Sequence, residues 1–145
     1  MDLRAEITIA ASAERVWQVL TDFAAYREWN PFMLEASGRA GKGERLTIRM
    51  QPVGGRAMTF TPTVLEAEPR HRLCWLGRLL LPGIFDGEHS FTIEPADGGV
   101  RLVQEEQFRG VLVPLLAKRL KNGTGPAFEQ MNIALKTRTE LIPTV

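Results

Sequence analysis

Residues 85–108, FDGEHSFTIEPADGGVRLVQEEQF, are typical of two β-strands joined by the tight turn Asp97-Gly98-Gly99. Side chains alternate between the two faces of a strand, so the first run places His89 on an otherwise apolar face. The second run places Gln104 and Glu106 on a face framed by apolar residues. Counting back from the turn brings His89 beside Gln104 or Glu106. The hairpin therefore predicts an antiparallel sheet with a few polar groups on its inner face.

Short β-type runs on either side of this hairpin extend the prediction. Turn sequences divide residues 32–108 into six consecutive strands with short connections, which is typical of an antiparallel meander. Residues 3–10 alternate as a further strand, and Ser12 then stands where a helix N-cap is expected. A second short helix over residues 23–29 would end before Pro31, because proline disfavours a helical conformation in the residue before it.

After Gly110 the apolar residues follow helical spacing to the end of the chain. They predict one long amphipathic helix, kinked or broken near Gly123, Gly125 and Pro126. The full order of elements predicts an α+β fold. In it, a curved seven-stranded antiparallel sheet wraps around the long C-terminal helix, and two short helices lie between strands 1 and 2.

Length and composition bound the function. The 145 residues fit one domain, 1–145, and the formal charge of +1 gives no electrostatic reason to expect a nucleic acid or an anionic membrane as partner. Cys74 is the single cysteine, so a disulfide within the chain is excluded. This cysteine usage favours a cytoplasmic location. No apolar stretch approaches the ~20 residues of a membrane span, so we expect no integral membrane segment.

Three stretches carry a resemblance to a known superfamily: VWQVLTDFAAYREWNPF (16–32), CWLGRLLLPGIFDGEHSF (74–91) and QEEQFRGVLVPLL (104–116). With the order of elements, they resemble the SRPBCC superfamily, which has the helix-grip fold of START lipid-transfer domains, pollen-allergen-type carriers and bacterial polyketide cyclases. The resemblance covers nearly the whole chain. It implies a deep apolar cavity between the curved sheet and the C-terminal helix, in a superfamily that ranges from carriers to cyclases and dehydratases.

The inward faces of these elements predict the residues that would line such a cavity. They are large, aromatic or sulfur-containing, with three polar side chains among them, a composition that suits an apolar small-molecule pocket. The predicted ligand-binding residues are Trp29, Phe32, Met50, Met58, Phe60, Trp75, His89, Phe91, Gln104, Glu106, Phe128, Met131 and Leu135.

His89 and Glu106 are the candidates for chemistry. A carboxylate beside an imidazole is the arrangement that a general acid or base needs. Three alternatives stay open: a buried polar pair that satisfies itself, a pair that orients a ligand, or a catalytic dyad. His71 is the one other histidine and lies in a turn, so we expect no metal site and no cofactor. Cys74, opposite Trp75 on its strand, is expected to be a solvated or partly covered structural thiol.

Alternate turns of a meander fall at the same end of the sheet, and here they are unusually apolar. Residues 52–55, 79–84 and 109–116 should gather at one end, with Trp29–Phe32 entering beside them. The predicted portal consists of Leu80, Leu81, Ile84, Val111 and Leu112. These residues would either plug the end of the fold or form a ligand portal that touches a membrane surface or a second subunit in a homodimer.

These observations leave two main candidate functions from different classes and a third, simpler one. The first is a non-catalytic carrier or sensor of a small hydrophobic molecule such as a lipid, a polyketide or an aromatic metabolite. The second is a cofactor-independent cyclase or dehydratase that uses His89 and Glu106 for proton transfer. The scarcity of inward polar groups favours the carrier. The third is a protein-binding module with a collapsed cavity.

Overall fold

The structure, a computed structural model, describes residues 1–79 and 81–141, and this part of the chain forms eight strands and four α-helices. In chain order these are β1 (Asp2–Ile9), α1 (Ala13–Thr21), α2 (Tyr26–Trp29), β2 (Met33–Ser37), β3 (Thr47–Met50), β4 (Met58–Phe60), β5 (Thr63–Glu68), β6 (Arg72–Leu79), β7 (Phe85–Ala96), β8 (Gly99–Arg109), α3 (Val113–Arg119) and α4 (Gly125–Leu141). The predicted α+β class, with an antiparallel sheet and a long C-terminal helix, is confirmed.

The predicted single seven-stranded sheet is wrong. The strands form a five-stranded sheet in the order β1-β8-β7-β6-β5 and a three-stranded sheet in the order β2-β3-β4. Pro62 explains the extra strand, because it has no N–H to donate and it separates β4 from β5 within a run that alternates in sequence. Its carbonyl still accepts from Leu46 N at 2.9 Å, and an isolated bridge joins Arg45 to Thr63. The two sheets therefore remain connected at this seam.

The β7–β8 hairpin forms as predicted. Ala96 pairs with Gly99 across a two-residue turn, and Gly98 adopts a φ of +76°, which glycine accepts without strain. His89 is the Cα partner of Glu106 in this register. The turn thus fixes which side chains meet on the inner face.

Local side-chain contacts set the bounds of the first two helices. The Ser12 hydroxyl accepts from Arg15 N at 3.1 Å, which confirms the predicted N-cap of α1. After α2, the Asn30 side-chain oxygen accepts from Phe32 N at 3.0 Å and from Met33 N at 2.8 Å. This turn leads the chain from α2 into β2.

The C-terminal helix continues through the predicted glycines without a break. A π-helical segment, Leu120–Thr124, joins α3 to α4 at the predicted glycines. The connection between β3 and β4 packs here, because Val53 N donates to Gly123 O at 3.1 Å. The wider π turn thus falls where another backbone segment meets the helix.

The core lies between α4 and the sheets. Phe128, Met131 and Leu135 on α4 pack in one cluster with inward residues of the strands and of α1. Cys74 is also buried, on the opposite face of its strand from Trp75. The expectation of a solvated or partly covered thiol is therefore wrong. Burial, with a smaller effect from the nearby Glu88, raises the pKa of Cys74 to about 11.

Candidate functional site

Three polar side chains of the β7–β8 hairpin meet on its inner face. His89 Nδ1 lies 3.2 Å from Glu106 Oε1, and His89 Nε2 lies 2.9 Å from Gln104 Oε1. His89 and Gln104 are buried, whereas the Glu106 side chain keeps an exposed fraction of 13%. The sequence placed His89 near one or the other of these partners, and the structure brings it to both.

The chain of hydrogen bonds continues into α4. Gln104 Nε2 donates to Asn132 Oδ1 at 2.7 Å and to the carbonyl oxygen of Phe128 at 3.3 Å. Because the Gln104 amide nitrogen faces that carbonyl, its oxygen faces His89, and Nε2 of His89 must carry the hydrogen. A hydrogen bond between His89 Nδ1 and Glu106 then needs one further proton, on the imidazole or on the carboxyl group. The chain of hydrogen bonds thus runs from Glu106, which is partly exposed, through His89 and Gln104 to Asn132 on α4.

Aromatic rings surround His89 on its other sides. The imidazole stacks on Trp75 with ring centroids 5.3 Å apart, and its centroid lies 4.9 Å from those of Phe91 and Phe128. These contacts fix the orientation of the imidazole and exclude water from it. His89 itself has no space beside it for a ligand, so Glu106 is the member of the pair that a ligand can reach.

Six of the predicted lining residues are packed core in this structure. Their exposed fractions lie between 0 and 1%, so neither bulk solvent nor an internal void of water size contacts Phe32, Trp75, Phe91, Phe128, Met131 and Leu135. A ligand would reach them only if α4 moved away from the sheet. Their contact with a ligand stays a prediction, and the deep cavity is filled by the side chains themselves.

The sheet–helix interface opens at one end. There the inward side chains are half-buried; we call this the open end, and it consists of Met50, Phe60, Phe85, Glu106 and Leu116. A small apolar cluster of Phe108, Val113 and Leu120 lies behind it, with Phe85 and Leu116 packed against that cluster.

Two glycines make room at the open end. Gly77 and Gly87 pair across β6 and β7, so two adjacent inward positions carry no side chain. The Phe60 ring lies over Gly77, where a Cβ would come within 3.2 Å of it, and the Glu106 carboxylate lies over Gly87, where a Cβ would clash with Oε2. The adjacent glycines thus place the Phe60 ring next to the Glu106 carboxylate.

Two predicted lining residues lie elsewhere. Met58 begins β4 with its side chain exposed, because the short strand ends at the edge of the smaller sheet. Trp29 does not lie near the predicted mouth. It packs on Tyr26 and lines two surface clefts, of about 320 and 380 Å³, beside Arg138 in the C-terminal half of α4.

The apolar connections gather at one end, as the meander predicted. Val111 N donates to Gly83 O and Leu112 N to Ile84 O, each at 3.1 Å. Leu81 and Val111 are 71% and 72% exposed, while Ile84 and Leu112 are half-buried. Leu80 lies outside the described residues. The described part of the predicted portal therefore stands beside the open end, and its role in ligand passage stays a prediction.

Sequence reasoning missed Asn132, Gly77 and Gly87. Asn132 follows Phe128 by four residues on α4, so it is a polar residue in an inward apolar stripe and could have been found by its spacing. The glycines gave no such signal, because their function depends on which side chain of the neighbouring strand lies above them. Within residues 1–79 and 81–141 no three His, Cys, Asp or Glu side chains group as metal ligands would, and no helix there is long and apolar enough to cross a membrane.

Comparisons with known proteins agree with this architecture. The family profile described as polyketide cyclase / dehydrase and lipid transport matches residues 1–140. A search of curated proteins finds no match. Among solved structures, the protein MLL2253 from Mesorhizobium loti superposes with a TM-score of 0.78 at 19% identity, covering 99% of this chain and 100% of that one.

Two further structures carry descriptive names. A START superfamily protein from Mycobacterium smegmatis has a TM-score of 0.74 at 22% identity, covering 96% of this chain and 97% of its own. The di-domain ARO/CYC StfQ from the steffimycin biosynthetic pathway has a TM-score of 0.76 at 12% identity, with 96% of this chain matching 50% of that one. At these identities the likeness shows the fold. The profile match, over nearly the whole length, shows that the chain belongs to the polyketide cyclase / dehydrase and lipid transport family of the SRPBCC superfamily.

Proposed function

We propose that this protein binds a small, largely apolar molecule at the open end, with Glu106 holding a hydroxyl or another hydrogen-bond donor of that molecule. The ligand would lie between Phe60 on β4 and Leu116 on α3, above the two glycines. A lipid, a polyketide or an aromatic metabolite has the required chemistry. This site is shallower than the deep cavity that the resemblance implied.

A contrast in burial carries the proposal. Inward side chains in the middle of the sheet–helix interface are fully buried, whereas Met50, Phe60, Phe85 and Leu116 keep part of their apolar surface exposed. Apolar surface left open beside a single carboxylate matches the usual composition of ligand sites, in which a few polar groups orient an apolar molecule. Ligand binding would bury this surface.

Titration with a neutral apolar dye tests the site. We expect Leu116→Gln to weaken dye binding at least about tenfold, because losing one buried leucine contact costs ~1.5–3 kcal/mol. Ile133→Gln is the matched control, since Ile133 is an exposed apolar residue on α4. Thermal unfolding of both variants would show that they fold. Equal dye affinity in wild type and Leu116→Gln would overturn the proposal, and native mass spectrometry of the purified protein would identify a bound molecule.

The hydrogen bond between His89 and Glu106 favours a second candidate, a cofactor-independent cyclase or dehydratase. In that reaction Glu106 would exchange a proton with the ligand, and His89 would supply or accept it through Nδ1. The two candidates differ in one variant. Glu106→Gln keeps the size of the side chain but cannot transfer protons in this way. It should leave a carrier able to bind with modestly reduced affinity, whereas it should abolish turnover by an enzyme while binding persists.

A further inference from the structure

Exposed apolar residues concentrate around the open end. Nine large apolar side chains are exposed in residues 1–79 and 81–141, and six of them belong to the connections at this end or to their flanking residues. We call these six the apolar rim: Val53, Met58, Leu79, Leu81, Val111 and Leu115. These side chains belong to three segments: the β3–β4 connection, the β6–β7 connection and the segment that leads from β8 into α3. Backbone hydrogen bonds from Val53 to Gly123 and from Val111 to Gly83 hold the three segments together. The six side chains therefore come from segments that lie next to one another.

Positive charge concentrates in the same segments. Residues 51–58, 78–86 and 109–122 contain Arg56, Arg78, Arg109, Lys118, Arg119 and Lys121 against one acid, Asp86. The rest of the chain has twelve basic and sixteen acidic residues. The formal charge of +1 thus combines three basic segments with an acidic remainder.

Four of these six basic side chains are available to an outside partner, whereas Arg78 pairs with Asp86 and Arg109 with Glu88. Arg56, Lys118, Arg119 and Lys121 are exposed, and none of them takes part in the ion pairs of the described residues. Leu115 precedes Lys118 and Arg119 by three and four residues, so all three project from the same side of the helix. An apolar tip flanked by lysine and arginine is the pattern of a segment that lies in a lipid headgroup region.

We propose that the apolar rim docks on an anionic lipid bilayer, with its leucine and valine side chains among the acyl chains and its basic side chains on the headgroups. A second copy of this chain fits the surface less well, because a twofold contact would bring two basic ends together. A bilayer offers both an apolar interior and negative charge. The inference rests on the proposed function in one respect: the bilayer would be the source or the destination of the ligand held at the open end.

Vesicle flotation tests the docking. We expect the wild-type protein to float with phosphatidylcholine vesicles that contain phosphatidylserine and to remain unbound with phosphatidylcholine alone. Lys118→Glu with Lys121→Glu should weaken partitioning by at least about 30-fold, since each basic residue near an anionic surface contributes ~1 kcal/mol. Raising the ionic strength should weaken wild-type binding in the same direction, because salt screens these charges.

Matched variants separate docking from general effects of charge and hydrophobicity. Lys42→Glu with Arg45→Glu gives the same net charge at the connection between β2 and β3, where both side chains are exposed. It should partition like the wild type. Leu115→Ser should weaken binding severalfold, whereas Ile133→Ser, at an exposed position on α4, should not.

Several outcomes would overturn the docking proposal. They are equal binding to neutral vesicles, no binding to anionic ones, an equal loss in the Lys42 and Arg45 variant, or a dimer in solution that Leu115→Ser dissociates. Dye titration without vesicles measures the ligand site separately. A protein that binds dye but not vesicles would refute docking alone, and one that binds vesicles but not dye would refute the ligand site alone.

Discussion

Glu106 depends on the absence of a side chain at residue 87. Its carboxylate lies over Gly87 and beside His89, and a Cβ at position 87 would occupy the place of Oε2. A side chain at position 87 would therefore push the Glu106 carboxylate away from its place beside His89.

We therefore expect Gly87→Ala to displace Glu106 and to break its hydrogen bond with His89. Loss of a hydrogen bond to a charged group costs about 1.5–3 kcal/mol, so the free energy of unfolding in urea should fall by roughly that amount. The NMR signals of the His89 imidazole should shift as they do in Glu106→Gln. Gly55→Ala is the control, because a Cβ there would make ordinary contact with Pro52 at 3.4 Å. Unchanged His89 signals in Gly87→Ala would contradict this account.

For individual residues, the sequence predicted the contacts within the β7–β8 hairpin but missed the contact between Gln104 and α4. Alternation and the Asp97-Gly98-Gly99 turn fix strand register, so the meeting of His89, Gln104 and Glu106 could be counted along the chain. Asn132 joins them only because α4 presents one particular face to β8. That rotation is set by packing, which periodicity alone does not specify.

At the scale of elements, Pro62 and the π-helical segment are the features that changed the predicted architecture. The run around Pro62 alternates as one strand, yet the missing N–H of Pro62 divides it into two. The proline itself was the one feature of the sequence that indicated this division. Around Gly123 the sequence predicted a kink or break, and the structure forms a π turn there. The reason is tertiary: the β3–β4 connection approaches the helix at that residue.

Two glycines in the C-terminal helix should respond in opposite ways to alanine. At Gly123 a Cβ would lie 3.0 Å from the carbonyl oxygen of Val53, so Gly123→Ala should push that connection away and destabilise the fold by about 1–2 kcal/mol. At Gly125 the nearest atoms to a Cβ lie 3.8 Å away. Gly125→Ala should therefore stabilise the fold, by up to ~1 kcal/mol, because alanine has the higher helix propensity. Urea unfolding measures both changes, and the same sign for the two variants would contradict the assigned contact.

At the scale of the whole molecule, the sequence predicted which residues face inward but not whether they enclose a space. Trp75, Phe91 and Phe128 can line a cavity or fill it, and the difference is a small change in the distance between α4 and the sheet. The net charge likewise does not show where in the fold the charged residues lie. A formal total of +1 excluded nothing, because the fold brings six basic residues of three separate segments to one end.

Two buried acidic side chains also make the molecule sensitive to alkaline pH. Cys74 and Tyr26 are buried, and the Tyr26 hydroxyl donates to the carbonyl oxygen of Leu20. Burial raises the pKa of Cys74 to about 11 and raises the pKa of Tyr26 far above its usual value. The unfolded chain releases these protons first, near about pH 8.5 for cysteine and about pH 10 for tyrosine.

The stability that these two groups contribute is complete below those unfolded pKa values and is lost as the pH rises toward the folded ones. We expect the free energy of unfolding attributable to Cys74 to be flat between about pH 7 and about pH 8, and to fall by roughly 2–3 kcal/mol by about pH 10.5. Urea unfolding across this range measures the slope. Cys74→Ala should flatten the part of the curve below about pH 9, where tyrosine does not yet titrate. A wild-type curve as flat as that of Cys74→Ala would mean that water reaches the thiol and that the face of the sheet carrying it is open.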